Sequence, residues 1–278
     1  MTPRRARAGR LAAAGILCVA LAAALAGCTR PSSPEQIGWE LVWADEFEGP
    51  AGEHPDSTRW RYDIGTDWGN AQLEYDTSRR ENVSLDGAGH LAITARKESY
   101  QNREYTSARI NTHGFFAQRN GRFEARLRLP DGQGIWPAFW LLGANFASVG
   151  WPACGEIDIM EFRGQEPHIT HGSLHGPGYS GGGALTSRYV LPGGAGFHED
   201  FHVFAVEWSD DRITWIVDDV RFLAVRASDL PGAWVFDHPF FVILNVAVGG
   251  HFVGPPDAGT VFPQTMLVDW VRVYRRSD

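Results

Sequence analysis

Apolar and polar residues alternate with a period of two along several stretches of this chain: residues 90–96, 121–129, 202–208, 212–217 and 267–274. Such alternation turns one face of a strand to a core and the other to water or a ligand. Turn dipeptides punctuate the runs, at Asp86-Gly87, Asn120-Gly121, Asp131-Gly132 and Asp218-Asp219. No stretch after residue 27 holds a 3.6-residue period over three turns. Many strands, regular turns and no helices predict an all-β, two-sheet β-sandwich or jelly roll.

The first 27 residues follow a different pattern. Arg4, Arg5, Arg7 and Arg10 form a basic start, an Ala/Leu-rich run extends from Leu11 to Ala26, and Leu25-Ala26-Gly27-Cys28 follows. The apolar run is short for a membrane span and ends in small residues, as a cleavable export signal does. The four residues up to Cys28 resemble a lipobox, which implies a lipid on Cys28 as the new N-terminus. The expected organisation is a lipoprotein signal peptide over 1–27, a polar Pro/Ser-rich tether over 28–38 and one domain over 39–278. The expected location is outside the cytoplasm, either anchored at the cell surface through Cys28 or secreted if the anchor is shed. The only membrane contact expected is the lipid, and a monomer is the default.

Removing the signal takes away four arginines and no acids, so the net charge moves from −8 to −12. That balance argues against nucleic acid as a partner, since phosphate binding wants a basic surface, but leaves neutral polymers open. Cys154 is the only cysteine after Cys28, so the domain must stand on its core without an internal disulfide. A chain of this size can, since it buries about three-quarters of its unfolded surface. All 11 tryptophans follow residue 38, and Trp68, Trp136, Trp151 and Trp234 sit in stretches read as loops or next to Gly or Pro. Core filling accounts for some of them. Indoles near carboxylates also suit a sugar cleft, because the apolar face of a pyranose stacks on them.

The chemistry concentrates in residues 155–162, GEIDIMEF, where three acids lie within six residues of an apolar strand. Glu156 and Asp158 share a face by alternation. Strict alternation would send Glu161 into the core, where an unpaired carboxylate is costly. A β-bulge around Ile159-Met160 restores it to the acidic face and is therefore predicted. Neighbouring carboxyls repel and their pKa values split. Glycosidic hydrolysis needs that split: one ionised carboxyl attacks the anomeric carbon while a protonated one serves the leaving oxygen.

This segment resembles the signature of glycoside hydrolase family 16 in its longer form, Glu-x-Asp-x-x-Glu. WADEF at 43–47, NVSLDG at 82–87, GRFEAR at 121–126, WPAFWLL at 136–142, HGPGYS at 175–180, NVAVGG at 245–250 and VDWVRVY at 268–274 follow in the family's order. The likeness spans about residues 39–275 and is nearest to bacterial endo-β-1,3-glucanases (laminarinases). It implies a concanavalin A-like jelly roll with a concave cleft, retaining cleavage of β-glucan, Glu156 as nucleophile, Glu161 as acid/base and Asp158 tuning both. By position it implies substrate contacts from Asn70, Arg109, Trp136, Trp140, Trp151 and His175, with Asn245 bracing the cleft strand. No cofactor is implied for the chemistry. By position the likeness implies a structural Ca²⁺ held by the Asp269 carboxylate with backbone oxygens near Glu46 and Gly89. Mixed-linkage cleavage and a non-catalytic glucan-binding role stand as alternatives.

Overall fold

The structure is a computed structural model that describes residues 1–2 and 38–277. The expected signal, most of the tether and Cys28 lie outside the described residues. The strands in chain order are β1 (Trp39–Asp45), β2 (Arg61–Asp63), β3 (Glu74–Asp76), β4 (Val83–Leu85), β5 (Leu91–Tyr100), β6 (Arg103–Ser107), β7 (Arg109–Asn111), β8 (Gly121–Arg128), β9 (Ile135–Gly143), β10 (Glu156–Phe162), β11 (Ile169–His175), β12 (Leu185–Val190), β13 (His202–Ser209), β14 (Arg212–Val217), β15 (Val220–Arg226), β16 (Phe240–Val248) and β17 (Gln264–Arg276). One α-helical turn, Phe146–Val149, interrupts them. Each of the five alternating stretches falls on a strand.

The strands form two sheets, as expected. The larger runs β15-β14-β13-β8-β17-β5-β6-β3, with β1 on β17 and β4 on β5. The smaller runs β12-β11-β10-β9-β16-β7-β2. Fully buried Phe123, Phe204 and Trp215 of the larger sheet belong to the same core as Phe139, Leu141, Ile157 and Leu244 of the smaller one. Every residue of β16 is buried. A strand flanked by β9 and β7, with core on one face and cleft on the other, leaves no residue to water. Asp218 and Asp219 both have positive φ, 47° and 67°, as a tight hairpin between β14 and β15 requires.

The predicted bulge is present in β10. Asp158 pairs with Trp140 of β9 and Met160 with Phe139, so Ile159 is the extra residue; the register to β11 also shifts between Asp158 and Glu161. Ile159 and Met160 are both buried. The bulge has support from the opposite sheet. The indole N–H of Trp215, on β14, donates to the carbonyl of Asp158 at 2.7 Å. Gly172 of β11 gives that indole its space, since a Cβ there would lie 2.5 Å from Cδ1 of Trp215.

Candidate active site

The bulge aligns one row of side chains across the smaller sheet. Glu161 pairs with Ala138, Ala138 with Asn245, Asn245 with Arg109, and Arg109 with Asp63. Paired residues share a face. Ala138, Trp140 and Leu142 of β9, two apart in sequence, line the same cavity. The cavity measures about 700 Å³. Asn70, Arg109, Trp136, Trp140, Trp151, Glu156, Asp158, Glu161, His175 and Asn245 all line it. One arrangement thus gathers every catalytic and substrate-contact position that the resemblance named.

Each carboxyl has its own partners. Oε2 of Glu156 accepts the indole N–H of Trp151 at 2.6 Å, and Glu156 hydrogen-bonds Asp158. Oε1 of Glu161 accepts from Trp136 at 3.2 Å, and Oε2 from the Ser173 hydroxyl at 3.3 Å. Nε2 of His175 stands 3.0 Å from Oδ2 of Asp158, near enough for an ion pair but off the line of a well-formed hydrogen bond. Burial, and then the charge of Asp158, pushes Glu156 up to about 8. Burial, and then the charge of Glu156, pushes Glu161 up to about 7. Asp158 rises well above the usual carboxylate range, first by burial and then through Glu161. Carboxyls this close lose their protons in steps that belong to the set. Crowded together they cannot all ionise at once, so the set retains protons that acid-assisted nucleophilic displacement can use.

The tryptophans divide between roles. Trp151 is half exposed at the rim, while Trp136 is buried and lies within β9 rather than in a loop. Trp140 donates to Oδ1 of Asn245 at 2.8 Å, so Asn245 braces a cleft aromatic. Trp234 packs edge-on against Phe236, apart from the cavity lining. Sequence reasoning missed Gln72, Arg163, Thr186, Gly181 and Phe252, which also line the cavity. Most come from loops or strand ends, where no periodicity marks them. Phe252 had one signal available: it follows the NVAVGG motif by two residues and packs against Trp136.

The residues proposed for Ca²⁺ do not fit a cation. Oδ2 of buried Asp269 accepts from Nη1 of Arg126 at 2.7 Å, and Nε2 of His90 lies 3.8 Å from Oδ1. Both oxygens of Glu46 accept from Arg272 at 2.8 Å. Gly89 lies in the β4–β5 turn and offers only backbone oxygen. Calcium wants oxygens free of competing positive charge, and the one carboxylate of the proposed set, Asp269, already faces Arg126.

A two-sheet sandwich with clustered carboxyls in an aromatic-walled cleft is the architecture of a polysaccharide-cleaving glycoside hydrolase. The family pattern described as "Glycosyl hydrolases family 16" matches residues 69–272, and the chain belongs to that family. A β-glucanase of Rhodothermus marinus is 42% identical over 94% of this chain and 93% of its own length. The solved laminarinase catalytic domain of Thermotoga maritima MSB8 is 45% identical, with a TM-score of 0.82 over 87% of this chain and all of that one. The solved endo-β-1,3-glucanase of Pyrococcus furiosus is 46% identical, with a TM-score of 0.81 over 86% of this chain and 95% of that one. The family's chemistry needs no cofactor.

Proposed function

We propose that this protein is a retaining endo-β-1,3-glucanase with Glu156 as nucleophile and Glu161 as acid/base. One observation carries the assignment: the bulge at Ile159 brings Glu156, Asp158 and Glu161 to the same cleft. The short hydrogen bond from Trp151 stabilises the Glu156 anion. Glu156 attacks the anomeric carbon as the bond to the leaving oxygen breaks, and Glu161 gives that oxygen its proton. Water then displaces Glu156 while Glu161 takes the water's proton. Asp158, hydrogen-bonded to Glu156 and facing His175, disperses charge between the steps. Trp136, Trp140 and Trp151 offer faces for sugar rings, and Asn70 and Arg109 offer donors for hydroxyls.

The deciding experiment is product analysis on laminarin, curdlan, lichenan and agarose, followed by proton NMR. Internal cleavage of laminarin with the β-anomer released first is the expected result, and Glu156→Gln should abolish it. Binding without release of reducing ends, unchanged in that variant, would replace the hydrolase reading with a binding role.

The same proposal includes export and a lipid on Cys28, with residues 28–38 as tether and a monomeric domain beyond. Its support is the sequence of residues 1–28. Cys28→Ser should move the protein from the membrane fraction to a soluble pool.

A further inference from the structure

A second pair of acids is buried at the far end of the cleft, outside the chemistry above. Glu74 and Asp76 open and close β3 and are 1% and 2% exposed. β3 ends the larger sheet, yet both carboxyls reach toward the cleft. Oε2 of Glu74 accepts the N–H of Val248, the last residue of β16, at 2.8 Å. Oδ2 of Asp76 accepts the indole N–H of Trp68 at 2.8 Å.

Trp68 belongs to a stack. The Arg109 guanidinium lies 5.1 Å from the centroid of its ring and 4.8 Å from that of Trp140. Nε of Arg109 also stands 3.0 Å from Oδ2 of Asp63. The stack is fastened at both ends, since Asp76 holds the N–H of Trp68 and Asn245 that of Trp140. Trp68, Arg109 and Trp140 all line the cavity. Three strand steps separate β7 from β10, about 14 Å at ~4.8 Å per step.

A buried carboxylate needs compensation. Oδ1 of Asp76 is buried without a hydrogen bond. Burial first, and the charge of Glu74 second, hold its carboxyl well above the usual range. Its remaining oxygen, Oδ2, serves as the acceptor for Trp68.

We propose that Asp76 is a positioning residue for glucan binding: by fixing the Trp68 indole it completes a Trp68–Arg109–Trp140 platform for the part of the sugar chain far from the cleaved bond. Two indole faces and a guanidinium edge match a sugar's apolar face and its hydroxyls. The proposal rests on the glucanase reading.

The test compares wild type, Asp76→Ala and Asp76→Asn on laminarin and on a chromogenic disaccharide glycoside too short to span the platform. Asp76→Ala should raise KM for laminarin about tenfold, the effect of about 1.4 kcal/mol, with kcat within about twofold and disaccharide kinetics unchanged. Asp76→Asn keeps an acceptor for the indole and should restore KM. An active wild type whose Asp76→Ala variant loses kcat and thermal stability with KM unmoved would overturn the proposal in favour of a structural role. Failure of Asp76→Asn to restore KM would overturn it too. A wild type inert on laminarin would overturn the glucanase reading and this proposal with it.

Discussion

Nε2 of His175 lies 3.0 Å from Oδ2 of Asp158, placing the one basic side chain of the carboxylate set against its central acid. The N–H of Gly181 donates to Nδ1 at 3.1 Å, so the neutral ring carries its proton on Nε2, toward Asp158. When charged, this imidazole lowers the pKa of both Glu156 and Glu161. His175→Ala should therefore raise both and move the acidic limb of the kcat/KM profile to higher pH. A pH–rate series from 4 to 9 checks this, and an unmoved limb would leave His175 no electrostatic role.

Glu161→Gln should cost about 10²–10⁴ in kcat on laminarin and stabilise the fold. Its carboxyl is raised to about 7 in the folded protein, above the ordinary value near 4.3 that it regains on unfolding. The native state then binds more protons, so the stability linked to this group is full at low pH. It is lost as pH rises through about 7. Glutamine removes that loss. Melting curves at pH 5 and pH 8 should show Glu161→Gln gaining on wild type at pH 8, by about 2–4 °C for each kcal/mol relieved.

Trp215→Phe leaves the carbonyl of Asp158 without its 2.7 Å donor. An unmet buried acceptor costs about 1–3 kcal/mol, and this one sits at the bulge that aims Glu161. The expected result is a lower Tm together with a fall in kcat that persists well below the melting range. A loss of Tm alone would separate the indole from catalysis.

EDTA should leave the melting temperature unchanged, because Arg126 already neutralises Asp269. A rise in Tm on adding Ca²⁺ after EDTA would show that a cation displaces this arginine.

The acidic row of the active site was legible because an acid in an apolar strand has few places to go. Glu161 could not face the core, so the sequence required an extra residue, and Ile159 is that residue. Trp136 misled: its neighbour Pro137 suggested a loop, yet both lie within β9 and pair with β16. Glu74 and Asp76 gave no signal. Next to Trp68-Gly69-Asn70 they look like solvated loop acids, and only the packing of β3 shows them buried. Asp269 showed the limit of matching by position, because a ligand's identity does not reveal whether an arginine has reached it first.

Counting along β10 has a practical consequence. Shortening the strand by Ile159 alone would keep all three acids, every indole and the overall charge. It would also remove the extra residue, leaving a regular ladder in which the three acids still share the cleft face and Phe162 still points inward. Gaining one residue there instead, with no second bulge to absorb it, would send a carboxylate inward and that ring out into the groove. Hydrolytic competence in this protein is thus a question of register, one that neither composition nor an inventory of surviving acids can answer.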